Sequence, residues 1–324
     1  MKTKVYITRK LPEAIVSQLS ERFEVRMYQE EDSIVPRDIL LKEVKDVDGL
    51  ICLLTDKIDQ EVFDEAMNLK VVANIAVGYN NIDVNAAAQK GIVVTNTPGV
   101  LTEATADLTF ALLMATARRV PEASNYLRRG EWGAWSLMQM TGQEIYGATI
   151  GIIGLGRIAE ALVKRTKGFN MRVIYYNRTR KVDKEAELGI EYCDLHSLLQ
   201  QSDFVSILIP YSPEVHHFIG KNELQLMKKN AILINTARGG IVDEVELYDA
   251  LVKGKIWGAG LDVFEEEPVP VDHPLLTLPN VVTLPHVGSS TVKTRLEMAN
   301  LAVENIINVL DGKKPLTPVS IPIE

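Results

Sequence analysis

Ile150-Gly151-Ile152-Ile153-Gly154-Leu155-Gly156-Arg157-Ile158-Ala159 is the stretch that decides the fold. Ile150 to Ile153 read as a buried strand. The chain turns at Gly154 and Gly156, and a helix opens at Arg157-Ile158-Ala159 and continues through Leu162 and Val163. Together they form a G-x-G-x-x-A fingerprint in strand–loop–helix context. Gly154 permits the tight turn, and Gly156 lets backbone approach a pyrophosphate. Ala159 supplies the small residue needed where helix meets strand. The amides of Arg157 and Ile158, with the helix dipole, face phosphate charge. A bare match of this pattern is common in turns; the flanking strand and helix make it a dinucleotide loop.

Outward from that loop, short continuous apolar runs alternate with helical segments, as parallel strands buried on both faces require. Strands are expected near residues 149–153, 172–176, 204–209, 231–235, 258–263 and 281–284. An earlier series, near 5–8, 23–27, 50–54, 71–75 and 93–95, carries no glycine fingerprint after its first strand. Helices are expected near 12–20, 60–67 and 84–89, with a long one from Thr102 to about residue 117. The last helix, near 291–310, places Leu296, Ala299, Val303, Ile306 and Leu310 near one face and could pack on either half. The reading is an α/β chain of two lobes with hinges near Gly99-Val100 and Gly288-Ser289. A cleft between two lobes suits closure on a small substrate.

The bulk composition fits that reading. An apolar content of 46% supplies globular cores. A net charge of -8 leaves no basic surplus for neutralising phosphates, so nucleic acid is not an expected partner. The N-terminus, Met1-Lys2-Thr3-Lys4-Val5-Tyr6-Ile7, enters a strand without the apolar run or cleavage site of a signal peptide. No run is long enough to span a bilayer. Cys52 and Cys193 form neither a metal spacing nor a C-x-x-C pair, and read as reduced residues of a cytoplasmic protein. No metal is expected.

Three ionisable residues each follow a strand-like run in the second half. Arg238 comes directly after the run ending at Ile234 and Asn235. Its planar fork suits the carboxylate and carbonyl of a 2-oxo acid, against a structural ion pair at a strand end. Glu267 closes Glu265-Glu266-Glu267 before Pro268, a run that by itself would be a solvated loop. His286 follows Pro285 and precedes Val287-Gly288-Ser289-Ser290. A lone histidine is more often structural, but strand ends of one sheet converge on the ligand crevice. A buried carboxylate beside it would favour the protonated ring and fix its tautomer, making it a proton donor. Asp262 would bond a nicotinamide carboxamide or cap the following turn. His196, His216, His217 and His273 have no comparable setting. Ser289 and Ser290 lack a nucleophile elbow.

The end of the next cofactor-domain strand bears on the choice of cofactor. An NAD enzyme places an acid there for the ribose hydroxyl. This chain has Asn177-Arg178-Thr179-Arg180, and no carboxylate before Asp183. Arg178 reads either as a solvated basic turn or as a partner for a 2′-phosphate, which would prefer NADP(H) while leaving NAD(H) possible.

With these residues in hand, the chain resembles the D-isomer-specific 2-hydroxyacid dehydrogenases, and within them the glyoxylate/hydroxypyruvate reductase (2-ketogluconate reductase) branch. The resemblance covers nearly the whole chain. It rests on Val77-Gly78-Tyr79-Asn80, Asn96-Thr97-Pro98-Gly99, the glycine loop, Thr236-Ala237-Arg238-Gly239, Gly260-Leu261-Asp262-Val263-Phe264, Glu267-Pro268 and Leu284-Pro285-His286-Val287-Gly288-Ser289. It implies a Rossmann-type doubly wound cofactor domain, 101–288, inserted in a flavodoxin-like substrate domain, 1–100, completed by 289–324 with the last helix. It implies that Arg238 binds substrate, that Glu267 pairs with His286, and that His286 is the acid–base residue. The backbone of Val77 and Gly78, and Leu54, would contact substrate. Thr105, Thr236 and Asp262 would contact the nicotinamide, and Pro210 the adenine. Asn177, Arg178 and Thr179 complete the expected cofactor set. A homodimer built mainly on the cofactor domain is also implied.

Two departures stand out. Ala159 replaces the usual third glycine. Gln139, within the segment 132–141, occupies the position where some relatives carry a tryptophan that reaches the partner's active site. The expected reaction is NAD(P)H-dependent reduction of glyoxylate, hydroxypyruvate or 2-ketogluconate to D-2-hydroxy acids. A phosphoglycerate dehydrogenase is the enzymatic rival, although the chain ends soon after the last helix. A nucleotide-sensing corepressor with the same fold is the rival of another class.

Overall fold

Two parallel sheets carry the chain, whose computed structural model describes residues 2–319. The strands are β1 (Lys4–Ile7), β2 (Glu24–Met27), β3 (Gly49–Cys52), β4 (Val71–Asn74), β5 (Val93–Thr95), β6 (Thr149–Ile153), β7 (Arg172–Tyr176), β8 (Glu191–Tyr192), β9 (Phe204–Ile207), β10 (Ile232–Asn235), β11 (Gly258–Leu261) and β12 (Val281–Thr283). One compact unit holds the residues up to Leu101 and those from Thr291 onward; the other is Thr102–Ser290.

The first unit is a five-stranded sheet of order β2-β1-β3-β4-β5, the doubly wound order of flavodoxin-like folds. Tyr6, Leu50, Cys52, Val72 and Val94 point to one face and pack with Val44, Val62 and Phe63. The helix Val292–Leu310 packs on β3 and β4, burying Met298, Ala299, Val303 and Ile306. Thr291 caps it by accepting from the Thr294 N–H, which satisfies one donor of its first turn.

The second unit is a seven-stranded parallel sheet of order β12-β11-β10-β9-β6-β7-β8. Counted from β6, its first six strands follow the 3-2-1-4-5-6 order of a Rossmann sheet, and β12 adds a seventh. Successive side chains alternate between faces. Ile150, Ile152, Ile232 and Ile234 therefore join one core, while Ile153, Val205, Ile207 and Leu233 join the other. The order reverses between β6 and β9, the switch point at which such sheets bind ligands. The helix Thr102–Ala117 packs on β10 and β11 and on the helix Arg157–Thr166. Cys52 and Cys193 are both free thiols. No helix among the described residues is long and apolar enough to cross a membrane.

Candidate active site

The glycine loop sits at the switch point. Gly154 has φ of +96°, a left-handed value, and a Cβ there would lie 2.5 Å from Ile209 Cγ2 and 3.0 Å from the Ile209 nitrogen. Any side chain would meet both obstacles, so the turn requires glycine. Gly156 stands at the N-cap of the helix Arg157–Thr166, where no side chain caps the first turn. A Cβ at Gly156 would meet nothing within 4 Å, so the space in front of the uncapped amides is open. That combination fits a pyrophosphate. Ala159, in place of a glycine, is fully buried in the helix–strand contact.

The turn after β7 distributes its polar groups unevenly. Asn177 braces the turn: its Oδ1 accepts from the Leu155 N–H at 3.3 Å, and its Nδ2 donates to the Thr179 carbonyl at 2.8 Å. Arg180 makes two bonds of 2.8 Å to Glu185 and lies over the Tyr192 ring. Arg178 and Thr179 are exposed. Lys181, which the sequence did not single out, donates from Nζ to the Leu155 carbonyl. Its charge therefore stands at the glycine loop. Pro210, three residues past β9, is exposed.

Three adjacent strands, β10, β11 and β12, deliver the remaining groups at their C-terminal ends. Arg238 follows β10. Asn235 shapes its loop by donating to the Arg238 carbonyl at 2.8 Å and accepting from the Ala237 N–H at 3.1 Å. Gly239 is pressed against the next loop: a Cβ there would lie 1.8 Å from the Phe264 carbonyl carbon. Only glycine allows this approach, which ties the Arg238 turn to the segment leading to Glu267. Burial pulls the Arg238 guanidinium below its usual value, and the nearby Glu267 carboxylate opposes that pull. A guanidinium stays charged under such pressure.

His286 Nδ1 lies 2.6 Å from Glu267 Oε2. The other Glu267 oxygen accepts from the Phe264 N–H at 3.0 Å. Burial raises the Glu267 carboxyl, but His286, the Phe264 amide and Arg238 outweigh it and leave the group below its ordinary value. The group is therefore a carboxylate at neutral pH. His286 itself has φ of +54°, a left-handed conformation that costs a non-glycine residue about 1–2 kcal/mol. Asp262 holds it there. The Asp262 carbonyl accepts from the His286 N–H at 2.9 Å, and its two carboxylate oxygens accept from Val287 and Gly288 at 2.7 and 2.8 Å. Asp262 thus caps the turn, one of the two roles its position allowed. Burial pushes its carboxyl up, against those two amides and His286. Thr105 borders the Gly288 position, and Thr109 bonds both the Thr105 carbonyl and the Thr236 hydroxyl at 2.7 Å.

Two of the histidines set aside in the sequence, His217 and His273, pair with carboxylates. His217 lies between Glu265, at 2.7 Å, and Asp243, at 3.5 Å, and stacks on His216. His273 pairs with Glu244 at 3.0 Å, and Glu244 accepts from the Glu265 N–H at 2.8 Å. These groups hold the Glu265–Glu267 loop at Glu265. Sequence separation hid the arrangement: His217 and Glu265 are 48 residues apart.

In the first unit, Val77 and Gly78 follow β4. The carbonyls of Ala76, Val77 and Gly78 accept from Thr97 N, Asn96 Nδ2 and Asn74 Nδ2 at 2.9, 2.7 and 2.9 Å. The N–H groups of Val77, Gly78 and Tyr79 have no hydrogen-bond partner among the described residues. Three consecutive free amides are donors available to an anion. Leu54 follows Leu53, whose N–H and carbonyl are both bound.

A Rossmann sheet with an open glycine loop and a carboxylate–histidine pair at its strand ends defines an NAD(P)-dependent oxidoreductase. Residues 110–288 match the family model described as D-isomer specific 2-hydroxyacid dehydrogenase, NAD binding domain. The chain is 52% identical over 316 residues to a glyoxylate reductase of Korarchaeum cryptofilum, covering 97% of this chain and 95% of that protein. The solved structure of a Thermus thermophilus protein superposes with a TM-score of 0.91 at 46% identity, over 98% of this chain and 100% of that one. An NADPH-dependent glyoxylate/hydroxypyruvate reductase of Sinorhizobium meliloti, solved with NADP and malonate, gives 0.86 at 35% identity over 99% and 97%. The chain belongs to the D-isomer-specific 2-hydroxyacid dehydrogenases.

Proposed function

We propose that this enzyme reduces small 2-oxo acids to D-2-hydroxy acids, glyoxylate first and hydroxypyruvate next, with NADPH preferred over NADH. The observation that carries the reading is the 2.6 Å pair of His286 and Glu267 on the same sheet edge as Arg238. A reduced nicotinamide, when bound, supplies the hydride for the substrate C2. Glu267 occupies Nδ1, so Nε2 is the nitrogen that gives the proton to the substrate oxygen. Arg238 holds the carboxylate and polarises the carbonyl. In the first unit, the Val77 and Gly78 amides and Leu54 are further substrate contacts. Gly154, Gly156, Arg157 and Ile158 would hold the pyrophosphate, and Arg178 with Thr179 the 2′-phosphate. Thr105, Thr236 and Asp262 would line the nicotinamide, and Pro210 the adenine.

We place the enzyme in the cytoplasm as a homodimer, without nucleic-acid or membrane partners. Val120, Leu127, Trp132, Trp135, Leu137 and Met138 form a run of exposed apolar residues in the second unit, which supports an association surface there. Gln139 is held by the Tyr126 hydroxyl at 3.1 Å.

The test is turnover of NADPH and NADH with glyoxylate, hydroxypyruvate, 2-ketogluconate, pyruvate and phosphohydroxypyruvate, with His286→Ala as control. Wild type should turn over glyoxylate, and the variant should lose about a hundredfold or more in kcat while still binding cofactor. Cofactor binding without turnover on any substrate would favour a nucleotide-sensing role. A preference for phosphohydroxypyruvate would favour a phosphoglycerate dehydrogenase.

A further inference from the structure

Three asparagines of the first unit share one pattern. Asn74, at the end of β4, is fully buried, yet both protons of its amide are used. One goes to the Gly78 carbonyl at 2.9 Å and the other to Asn81 Oδ1 at 3.2 Å. Its oxygen accepts from the Cys52 thiol. Asn81 then donates to the carbonyls of Leu53 and Asp56, at 3.1 and 3.0 Å. Asn96 donates to the Val77 carbonyl at 2.7 Å. A buried amide is costly unless it is satisfied, and here the donors of the three asparagines together end on the backbone of two loops.

The two loops are those of Leu53–Asp56 and Ala76–Tyr79. Asp56 secures the first of them. Its carboxylate accepts from the Leu53 N–H at 2.8 Å, from the Thr8 hydroxyl and from Arg9 at 3.1 Å. Leu53 is therefore fixed by both its N–H and its carbonyl, and Leu54 leaves from a rigid point. In the second loop, planarity does the rest. A trans peptide points its N–H opposite its C=O. Binding the carbonyls of Ala76, Val77 and Gly78 sets the directions of the Val77, Gly78 and Tyr79 N–H groups. The same bonds polarise each peptide and strengthen its free donor.

We propose that Asn74, Asn81 and Asn96 are positioning residues for substrate: an amide scaffold that holds the Val77–Tyr79 donors in fixed directions for a carboxylate. The inference rests on the proposed reduction of 2-oxo acids. The scaffold is uncharged, so it orients an anion donor without competing for it as a titrating group would.

The test compares Asn96→Ala and Asn96→Asp with wild type in the full chain, using glyoxylate as substrate and oxamate as a non-reacting carboxylate. Asn96→Ala frees only the Val77 carbonyl. The KM for glyoxylate and the inhibition constant for oxamate should both rise about tenfold to a hundredfold, the scale of a hydrogen bond to a charged group. Asn96→Asp, nearly isosteric, should be worse, because it sets a carboxylate against the Val77 carbonyl. Meanwhile kcat at saturating glyoxylate and the NADPH dissociation constant should stay within about twofold, as for a change remote from those groups. A role confined to folding would lower the melting temperature and weaken NADPH and oxamate together, and that outcome overturns the proposal. So does an unchanged KM in both variants of an enzyme that takes glyoxylate saturably; the functional reading would then stand alone. A wild type that turns over no 2-oxo acid overturns both.

Discussion

Nδ1 of His286 faces Oε2 of Glu267 at 2.6 Å, and the second oxygen of Glu267 is held by the Phe264 amide. The carboxylate is thus fixed in orientation as well as in charge. It orients the imidazole so that Nε2 is left for the substrate oxygen. Glu267→Gln removes the charge and keeps the shape. The kcat for glyoxylate reduction should fall about tenfold or more, toward the scale of losing a general acid. An unchanged kcat would separate the pair from the chemistry. Stability has a sign of its own. Glu267 is a carboxyl lowered in the fold, so its stabilising share is present above the ordinary glutamate range and is lost as pH falls through the lowered value. Glu267→Gln should flatten that acidic part of the melting curve.

Arg238→Lys keeps a charge at the end of β10 but loses the fork. Lysine offers a point donor where carboxylate and carbonyl oxygens must both be met. The expected result is a KM for glyoxylate raised about tenfold or more, with some loss of kcat. Cofactor affinity should not change. Steady-state kinetics with both nicotinamides checks this, and unchanged kinetics would move the substrate anchor elsewhere.

Asp262→Asn tests the support of the left-handed His286. The carboxylate accepts one amide on each oxygen. An asparagine would present an NH2 to either Val287 or Gly288, leaving a donor facing a donor. Losing a charged acceptor here should lower stability by about 1.5–3 kcal/mol and reduce kcat through the displaced ring. Thermal melting and kcat together read the effect. A variant with wild-type melting and wild-type kcat would show that the turn holds without its cap.

Much of the architecture was legible because parallel strands need continuous apolar runs. The runs at 149–153 and 172–176 coincide with β6 and β7. Others read long by one or two residues. Leu208 and Ile209 extend the run of β9, and Leu284 that of β12, because the first loop residues past the strands still pack against the cores. The strand β8 escaped because it is a two-residue edge strand containing Glu191. The helix Val120–Arg128 escaped for a related reason: none of its residues is buried, so no inward stripe announces it. Within the site, Arg238, Glu267 and His286 were visible as strand-end residues. The brace of His217, Asp243, Glu244 and His273 was not, since it depends on which loops the sheet order makes neighbours. The asparagine bonds were equally silent, because most of their partners are backbone carbonyls, whose directions no side-chain pattern records.

Cofactor choice turns on the unlike settings of Arg178 and Arg180. Arg180 is already engaged, with two bonds to Glu185 and its guanidinium over Tyr192. Its reassignment to a phosphate would break both contacts. Arg178 is exposed, at the turn that follows β7. Its charge reaches Glu214, whose carboxyl is held below its ordinary value chiefly by Ser212, with a smaller share from Arg178. A 2′-phosphate would bring more negative charge and more acceptors to Arg178 than Glu214 does. Arg178→Ala should therefore lower kcat/KM for NADPH by about tenfold to a hundredfold, the scale of one charge-assisted bond. NADH, without the phosphate, should lose little. Glu214→Gln, which removes the competing charge, should move NADPH affinity in the opposite direction. Equal or better kcat/KM with NADH in the wild-type enzyme would defeat the preference and return Arg178 to the solvated surface.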